Sequence, residues 1–450
     1  MQRLLRNWKK LTTGSPNRQI FSAALTVGVM TVFVKVGAAG KELVVAWIYG
    51  TGDALDAFLI AFLVPSFITS VIAGSFNAAL IPTYIRVREQ EGVETAQKLL
   101  SGVTVWSLGL LVIATSLMVI AAPLYLRWLA TGFSPEKLDL TFRLLCAIAP
   151  IVLLDGMIAI WGAVLNAGER FALAAVSPAI TPVSTIIFLL IGKSFGIFAL
   201  VGGLVCGSLL ELLLLGAALK HQGISLRPRW YGFDTHLRQV AGQYAPMIAG
   251  SFLMSSTVLV DQSMAAMLSP GSLASLNYGS KLITFPMGLA TTALSTAVVP
   301  FFSTMVVQKD WNGMRFTLKR YLLLIFAVSV PLTLGICLFS EPLIQLFFQR
   351  GAFTAEDTRL VAHIQTFYAL QIPFYISLVF IARLVSSMRL NQVLFWASLL
   401  NLLNNIFFNY ILLQNLGIAG IALSTSCVMI FSFLLMILFV LNRLNQLSQI

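Results

Sequence analysis

The chain has 450 residues, of which 58% are apolar and only 10% charged, where soluble domains carry about 25% charged residues. With a mean hydropathy of +0.89, too little charge remains to cover a soluble surface of this size, so the bilayer is the solvent for most of the chain. The net charge of +12 would suggest nucleic acid in a soluble protein. Here the basic residues fall mostly between apolar runs, so topology explains them and no nucleic-acid partner is expected.

A spanning helix needs about 20 apolar residues, and twelve runs meet that length: 20–49, 54–84, 99–122, 140–166, 171–192, 196–219, 239–267, 272–303, 318–338, 357–386, 391–413 and 417–441. Alternating barrel patterning is absent, and in lipid each backbone polar group must be satisfied within its own span, so the runs are read as helices. The basic N-terminus (Arg3, Arg6, Lys9, Lys10, Arg18) leads into the first run. A cleavage site near Ala38–Ala39 would make that run a signal peptide. It continues to Ile48, which favours an uncleaved first span. Lys and Arg concentrate in the N-terminus and the even-numbered connections, with Arg86, Arg88, Arg170, Arg227, Arg229, Arg238, Lys319 and Arg320 among them, against few in the odd ones. Both termini are therefore expected in the cytoplasm.

The two halves echo each other. "AALIPTYIRVREQEG" matches "TAVVPFFSTMVVQKD", "APLYLRWLATGFSPE" matches "EPLIQLFFQRGAFTAE", "AIAPIVLL" matches "LQIPFYIS" and "SFGIFALVGG" matches "NLGIAGIALS". The offset stays near 220 residues through Pro82/Pro300, Pro123/Pro342 and Gly196/Gly417. The expected fold is an all-α polytopic membrane protein of about twelve helices. It has an N-terminal lobe (1–220), a basic cytoplasmic linker (221–238) and a C-terminal lobe (239–450). Six spans per half make the repeats parallel, around a central cavity.

Ionisable groups inside spans mark candidate sites, because each is costly when it faces hydrocarbon. Span 1 holds Lys35, Lys41 and Glu42, and Lys35 and Glu42 share a face two turns apart. Lys35 lies about 20 Å of helical rise from Ile20, too deep to snorkel. Span 2 opens with Asp53 and Asp56, and Lys281 lies in span 8. The plain reading pairs Lys35 or Lys41 with Asp56 to lock helices. The functional one places Lys35, Lys41 and Lys281 in a hydrated cavity that receives an anion. Asp155 and Glu211, in spans 4 and 6, are read as structural, and Gly203 and Gly207 form a GxxxG pair that signals close helix packing.

Span 11 carries Asn401, Asn404, Asn405 and Asn409. Interhelical hydrogen bonding is one reading. A hard-cation site completed by Asp261 and Thr425 is the other, since amide and carboxylate oxygens suit such ions. The four cysteines lie in apolar runs and the three histidines are dispersed, so neither a disulfide frame nor a zinc site is expected. No Walker motif, nucleophile elbow or metal-ligand cluster is found, and the outer loops are too short for a glycosyltransferase or polymerase domain. An enzyme is not expected.

"VKVGAAGKELVVAWIYGTGDALDAFLIAFLVP", "GSFNAALIP", "NYGSKLITFPMGL", "LFFQRGAFTAEDT" and "LGIAGIALSTS" resemble the MurJ (MviN) lipid II flippase family. That family belongs to the multidrug/oligosaccharidyl-lipid/polysaccharide exporter superfamily. The resemblance implies a monomer in the bacterial inner membrane. Its cargo would be a polyprenyl-diphosphate-linked saccharide, moved from the cytoplasmic to the outer leaflet by alternating access. It implies substrate binding by Lys35, Lys41, Glu42, Asp56 and Lys281, and a sodium site at Asp261, Asn405, Asn409 and Thr425, with no other cofactor. The family typically has arginine where this chain has Lys35, Lys41 and Lys281, and arginines where it has Thr69 and Ser70. It has a carboxylate in place of Asn409, and usually two further helices after span 12. An exopolysaccharide or O-antigen repeat-unit flippase fits these departures equally well. A cation-coupled multidrug antiporter shares the architecture, but its usual cationic substrates favour carboxylates over lysines.

Overall fold

The computed structural model describes residues 16–168 and 171–448. Arg3, Arg6, Lys9, Lys10 and Arg170, used above for topology, lie outside the described residues. All regular structure among the described residues is helical: α1 (Pro16–Tyr49), α2 (Asp53–Gln90), α3 (Val93–Leu129), α4 (Pro135–Ile148), α5 (Pro150–Ala167), α6 (Phe171–Val176), α7 (Ile180–Ile191), α8 (Phe198–His221), α9 (Thr235–Ala265), α10 (Ser272–Gln308), α11 (Trp311–Leu338), α12 (Ser340–Phe348), α13 (Ala355–Ala369), α14 (Ile372–Ser387), α15 (Asn391–Leu416) and α16 (Ile418–Ser448). Short 3-10 turns at Ser177–Ala179 and Lys193–Phe195 join neighbouring helices.

Among the described residues eight segments are long and apolar enough to cross a membrane, or nine if α13 and α14 count as one span bent by 40°. Helices α1, α9 and α10 have 34, 31 and 37 residues, long enough to span at 1.5 Å per residue. They carry the ionisable residues Lys35, Lys41 and Glu42, Asp261, and Lys281 respectively. Exposed apolar stripes are what lipid-facing helices need. On α3, Ile113, Leu117, Ile120 and Leu124 repeat at helical spacing, and α11 presents Leu323, Val328 and Leu338. In a soluble protein patches of this kind would drive aggregation.

Proline sets the breaks. Pro150 opens α5 after the turn at Ala149, and Pro373 sits in the first turn of α14. Proline lacks the N–H that a continuing helix requires and fits the first turn, where that N–H has no partner. These two prolines head the echoed segments "APIVLL" and "IPFYIS". A second echo shares its backbone form: Gly196 has φ 54°, ψ −135° and Gly417 has φ 56°, ψ −137°. Only glycine adopts that region without strain.

The chain forms two compact units. Unit 1 comprises residues up to Val45, Ala61–Leu124 and Thr141–Ser251; unit 2 comprises Ala46–Ile60, Tyr125–Leu140 and Phe252 onward. This grouping differs from the division drawn at 221–238. That segment lies within unit 1, pinned to α3 by Ser101, whose hydroxyl donates to the Arg229 carbonyl at 2.9 Å and accepts from the Arg229 N–H at 2.6 Å. Unit 1 has a buried core of Leu80, Tyr84 and Val87 from α2, Leu99 and Val103 from α3, Ile160 and Val164 from α5, Leu215 and Leu219 from α8, and Val240 from α9. In unit 2 the rings of Tyr278, Phe348 and Phe353 pack with centroids 5.3 to 5.9 Å apart.

Candidate functional site

Within unit 2 the most distinctive sequence segments fold onto one another. Gly50, at φ 53°, lies so close to the Ala352 carbonyl oxygen that a Cβ there would come within 2.4 Å of it. Gly351, at φ 61°, sits against the Trp47 ring, and the Ala352 N–H donates to the Trp47 carbonyl at 2.9 Å. Thr354 and Asp357 form a reciprocal capping box that starts α13, and the Thr51 hydroxyl donates to the same Asp357 carboxylate. "GTGDALDAF" and "QRGAFTAEDT" are therefore two sides of one junction.

Asp56 is the third element of that junction. It is 2% exposed. Its Oδ1 accepts from the Ala274 N–H at 2.8 Å, and its Oδ2 accepts from the Gly271 N–H at 2.7 Å and from Lys137 Nζ at 3.1 Å. It thus caps the N-terminus of α10 from another helix, where the helix dipole favours an anion. Lys137, 11% exposed, also pairs with Asp53 and lies 4.1 Å from the Phe133 ring centre. The plain reading pairs Asp56 with Lys35 or Lys41; the structure pairs it with Lys137, which the sequence did not single out. The "SPEK" helix start was the available hint, since it brings a lysine into the first turn of α4.

In unit 1, Lys41 Nζ lies 2.9 Å from Glu42 Oε1, with the two side chains 23% and 19% exposed, and Lys35 is exposed. Lys41 also lines a cavity of ≈ 370 Å³ together with Phe62, Asp155, Thr181, Ser208 and Glu211. The GxxxG pair shapes this wall. A Cβ on Gly203 would lie 2.6 Å from the Cα of Thr185, and one on Gly207 2.6 Å from the Cα of Thr181. That close approach of α8 to α7 is what sequence suggested. It lets Ser177 and Thr181 donate to Glu211 at 3.0 and 3.2 Å.

In unit 2, Lys281 is half-buried on α10. Nearby on the same helix, Gly279 lies against Ile364, where a Cβ would come within 2.6 Å of Cγ2, so α10 and α13 pack closely. The residues expected to hold sodium do come together. Asp261 Oδ1 accepts from the amides of Asn405 at 2.9 Å and Asn409 at 2.7 Å, and its Oδ2 accepts from Thr425 at 3.5 Å. Asn409 is 0% exposed and its Oδ1 has no hydrogen-bond partner among the described residues. A carboxylate, two amides and a hydroxyl can offer an all-oxygen ligand set once the amides turn their oxygens inward, so these residues fit a hard monovalent cation. No group of three His, Cys, Asp or Glu residues that could hold a transition metal occurs among the described residues. Asp261 and Thr425 line a cavity of ≈ 260 Å³ that mixes polar Asn277, Ser280 and Gln371 with apolar Leu276, Ile283 and Met287.

A family model described as "Lipid II flippase MurJ" matches residues 45–449. A "Probable lipid II flippase MurJ" of Synechocystis is 25% identical over 450 residues, covering 97% of this chain and 84% of the relative. Another with that description, from Thermotoga maritima, is 28% identical over 411 residues, covering 91% and 83%. Among solved structures, "Lipid II flippase MurJ, inward closed conformation" superposes with TM-score 0.81 at 24% identity, covering 94% of this chain and 90% of that one. An inward-facing multidrug resistance MATE family transporter superposes with TM-score 0.75 at 13% identity, covering 94% and 99%. The fold is thus that of these transporters, and the match over most of its length shows that the chain belongs to the lipid II flippase MurJ family.

Proposed function

We propose that this multi-pass membrane protein translocates a polyprenyl-diphosphate-linked saccharide, a lipid II-like envelope precursor, from the cytoplasmic to the outer leaflet by alternating access. The observation that carries the reading is the family match over residues 45–449, joined to lysines embedded in otherwise apolar helices. A diphosphate and its sugar cannot cross hydrocarbon unaided, because every polar group would lose its water. Lys35, Lys41 and Lys281 are the cations that offset the diphosphate charge during passage. Glu42 holds Lys41 in place, and Asp56 acts as a positioning residue through the start of α10. The polyprenyl tail stays in lipid throughout. No bond is made or broken, so the protein is a transporter and not an enzyme. In this reading it lies in the bacterial inner membrane, acts as a monomer and keeps both termini in the cytoplasm.

Return to the cargo-accepting state requires a bias, from the membrane potential or from an ion with different affinity for the two states. We propose sodium at Asp261, Asn405, Asn409 and Thr425 as that ion. The decisive experiment is mass spectrometry of lipids that co-purify from the native membrane with wild type and with the Lys41→Ala/Lys281→Ala variant. The expected result is a polyprenyl-diphosphate saccharide on wild type that is lost from a correctly inserted variant. The saccharide's mass separates lipid II from an exopolysaccharide or O-antigen unit. Wild type that carries no such lipid and binds cationic drugs in a sodium-dependent way would replace this reading with multidrug antiport, which the MATE-like fold accommodates.

A further inference from the structure

The side-chain amides of Gln262, Asn277 and Gln371 have no role in the account so far. They converge on the ≈ 260 Å³ cavity of unit 2 from α9, from α10 and from the turn between α13 and α14. None of the three amides makes a hydrogen bond among the described residues. Gln371 is the sharpest case. It is 7% exposed, so its amide is shut off from bulk water as well. A buried amide without a partner is costly, and a polar group seated in the cavity removes that cost.

The wall follows from helix spacing. On α10, Asn277, Ser280 and Thr284 recur at steps of three and four, so they share one face, and apolar Leu276, Ile283 and Met287 flank them. At the mouth Val258 is 51% exposed and Thr284 is exposed. Unpaired amides that opened onto hydrocarbon would be costly, so the mouth meets water. Asp261 is the one carboxyl on the wall, and no Lys, Arg or His lines it among the described residues. The cavity therefore offers a phosphate no cation. It offers donors and acceptors set in apolar surface, the combination that orients a small uncharged ligand. A sugar ring matches it, with hydroxyls at its edge and C–H groups on its faces. The volume lies just below the roughly 300–1,000 Å³ of pockets for drug-sized ligands, so the cavity holds one ring and not a chain of them.

We infer that this cavity is a saccharide subsite, in which Gln262, Asn277 and Gln371 hydrogen-bond the hydroxyl or acetamido groups of the sugar attached to the diphosphate. The inference rests on the proposed transport of a polyprenyl-diphosphate-linked saccharide. Lys281, proposed to meet the diphosphate, directly follows Ser280 on α10. The cation and the sugar-binding groups thus occupy neighbouring positions of one helix, which a sugar bonded directly to a diphosphate requires. Asp261 and Thr425 line the same cavity, so cargo and the proposed sodium ion meet at one wall.

The test measures binding of undecaprenyl diphosphate, and of the same lipid bearing one N-acetylhexosamine, to the full chain in nanodiscs by native mass spectrometry. Wild type should prefer the glycosylated lipid about tenfold, as one or two net hydrogen bonds provide. Gln371→Leu and Asn277→Leu should lose the preference and keep their affinity for undecaprenyl diphosphate. Ser280→Leu fills the cavity from a half-buried position and should do the same, which keeps the test decisive should Gln371→Leu fail to fold. Equal affinity of wild type for the two lipids, or a preference that survives all three substitutions, overturns the subsite and leaves the flippase reading standing. Failure of wild type to bind either lipid overturns both. Saturable binding of ethidium that Asn277→Leu abolishes would also overturn the subsite, because the cavity would then serve cationic drugs.

Discussion

Substituting Asp56 by asparagine should destabilise unit 2 strongly, although the two side chains have nearly the same shape. The carboxylate accepts three hydrogen bonds, from the Gly271 and Ala274 N–H groups and from Lys137. An asparagine oxygen can meet one of the backbone donors, and its NH2 then faces the other. One buried N–H is left without an acceptor, which costs about 1–3 kcal/mol. Losing the negative charge at the start of α10 removes roughly 0.3–2 kcal/mol more. Lys137 keeps Asp53, whose side chain is 61% exposed, so that loss is small, about 1 kcal/mol or less. The total is about 1.3 to 6 kcal/mol, which brackets the roughly 3–5 kcal/mol seen when one member of a buried pair is removed. Equilibrium unfolding in mixed micelles reads it directly. Asp53→Asn is the control, expected to cost less than about 1 kcal/mol because its carboxylate is exposed. If the two variants fall within 1 kcal/mol of each other, Asp56 is not the cap described here. A double-mutant cycle with Lys137→Gln should also give a clearly non-zero coupling.

Gly207→Ala places its Cβ 2.6 Å from the Thr181 Cα and should cost about 1–3 kcal/mol through overpacking; Gly109→Ala, which meets nothing within 4 Å, should be tolerated in the same unfolding assay. Gly351→Ala combines φ 61° with a Cβ 2.2 Å from the Trp47 ring, so proteolysis should cut its 349–358 segment much faster than in wild type, and an unchanged cleavage pattern would contradict the junction. Sodium at one hundred times its dissociation constant should stabilise wild type by about 2.7 kcal/mol, by linkage. That stabilisation should vanish in Asp261→Asn with lithium and choline as ion controls; if it persists, the ion binds elsewhere.

Composition alone determined that this chain lives in lipid, because 10% charged residues cannot cover a soluble protein of this length. Run length then located most of the helices, but it ran through the breaks at Ala149 within 140–166 and at Leu370–Gln371 within 357–386. The oxygen cluster of Asp261, Asn405, Asn409 and Thr425 was legible because asparagines one turn apart on a single apolar helix have few explanations. Tertiary structure decided the partners. Nothing local couples Asp56 to Lys137 and to the N-terminus of α10, so its place as a helix cap was not legible in the sequence. Nothing local joins Glu211 to Ser177 and Thr181 either. That contact depends on α8 approaching α7 at Gly203 and Gly207, and a glycine spacing signals only that some helix can come close. Charges in a membrane segment announce that they need a partner. Which partner they find is set by contacts between residues far apart in the chain.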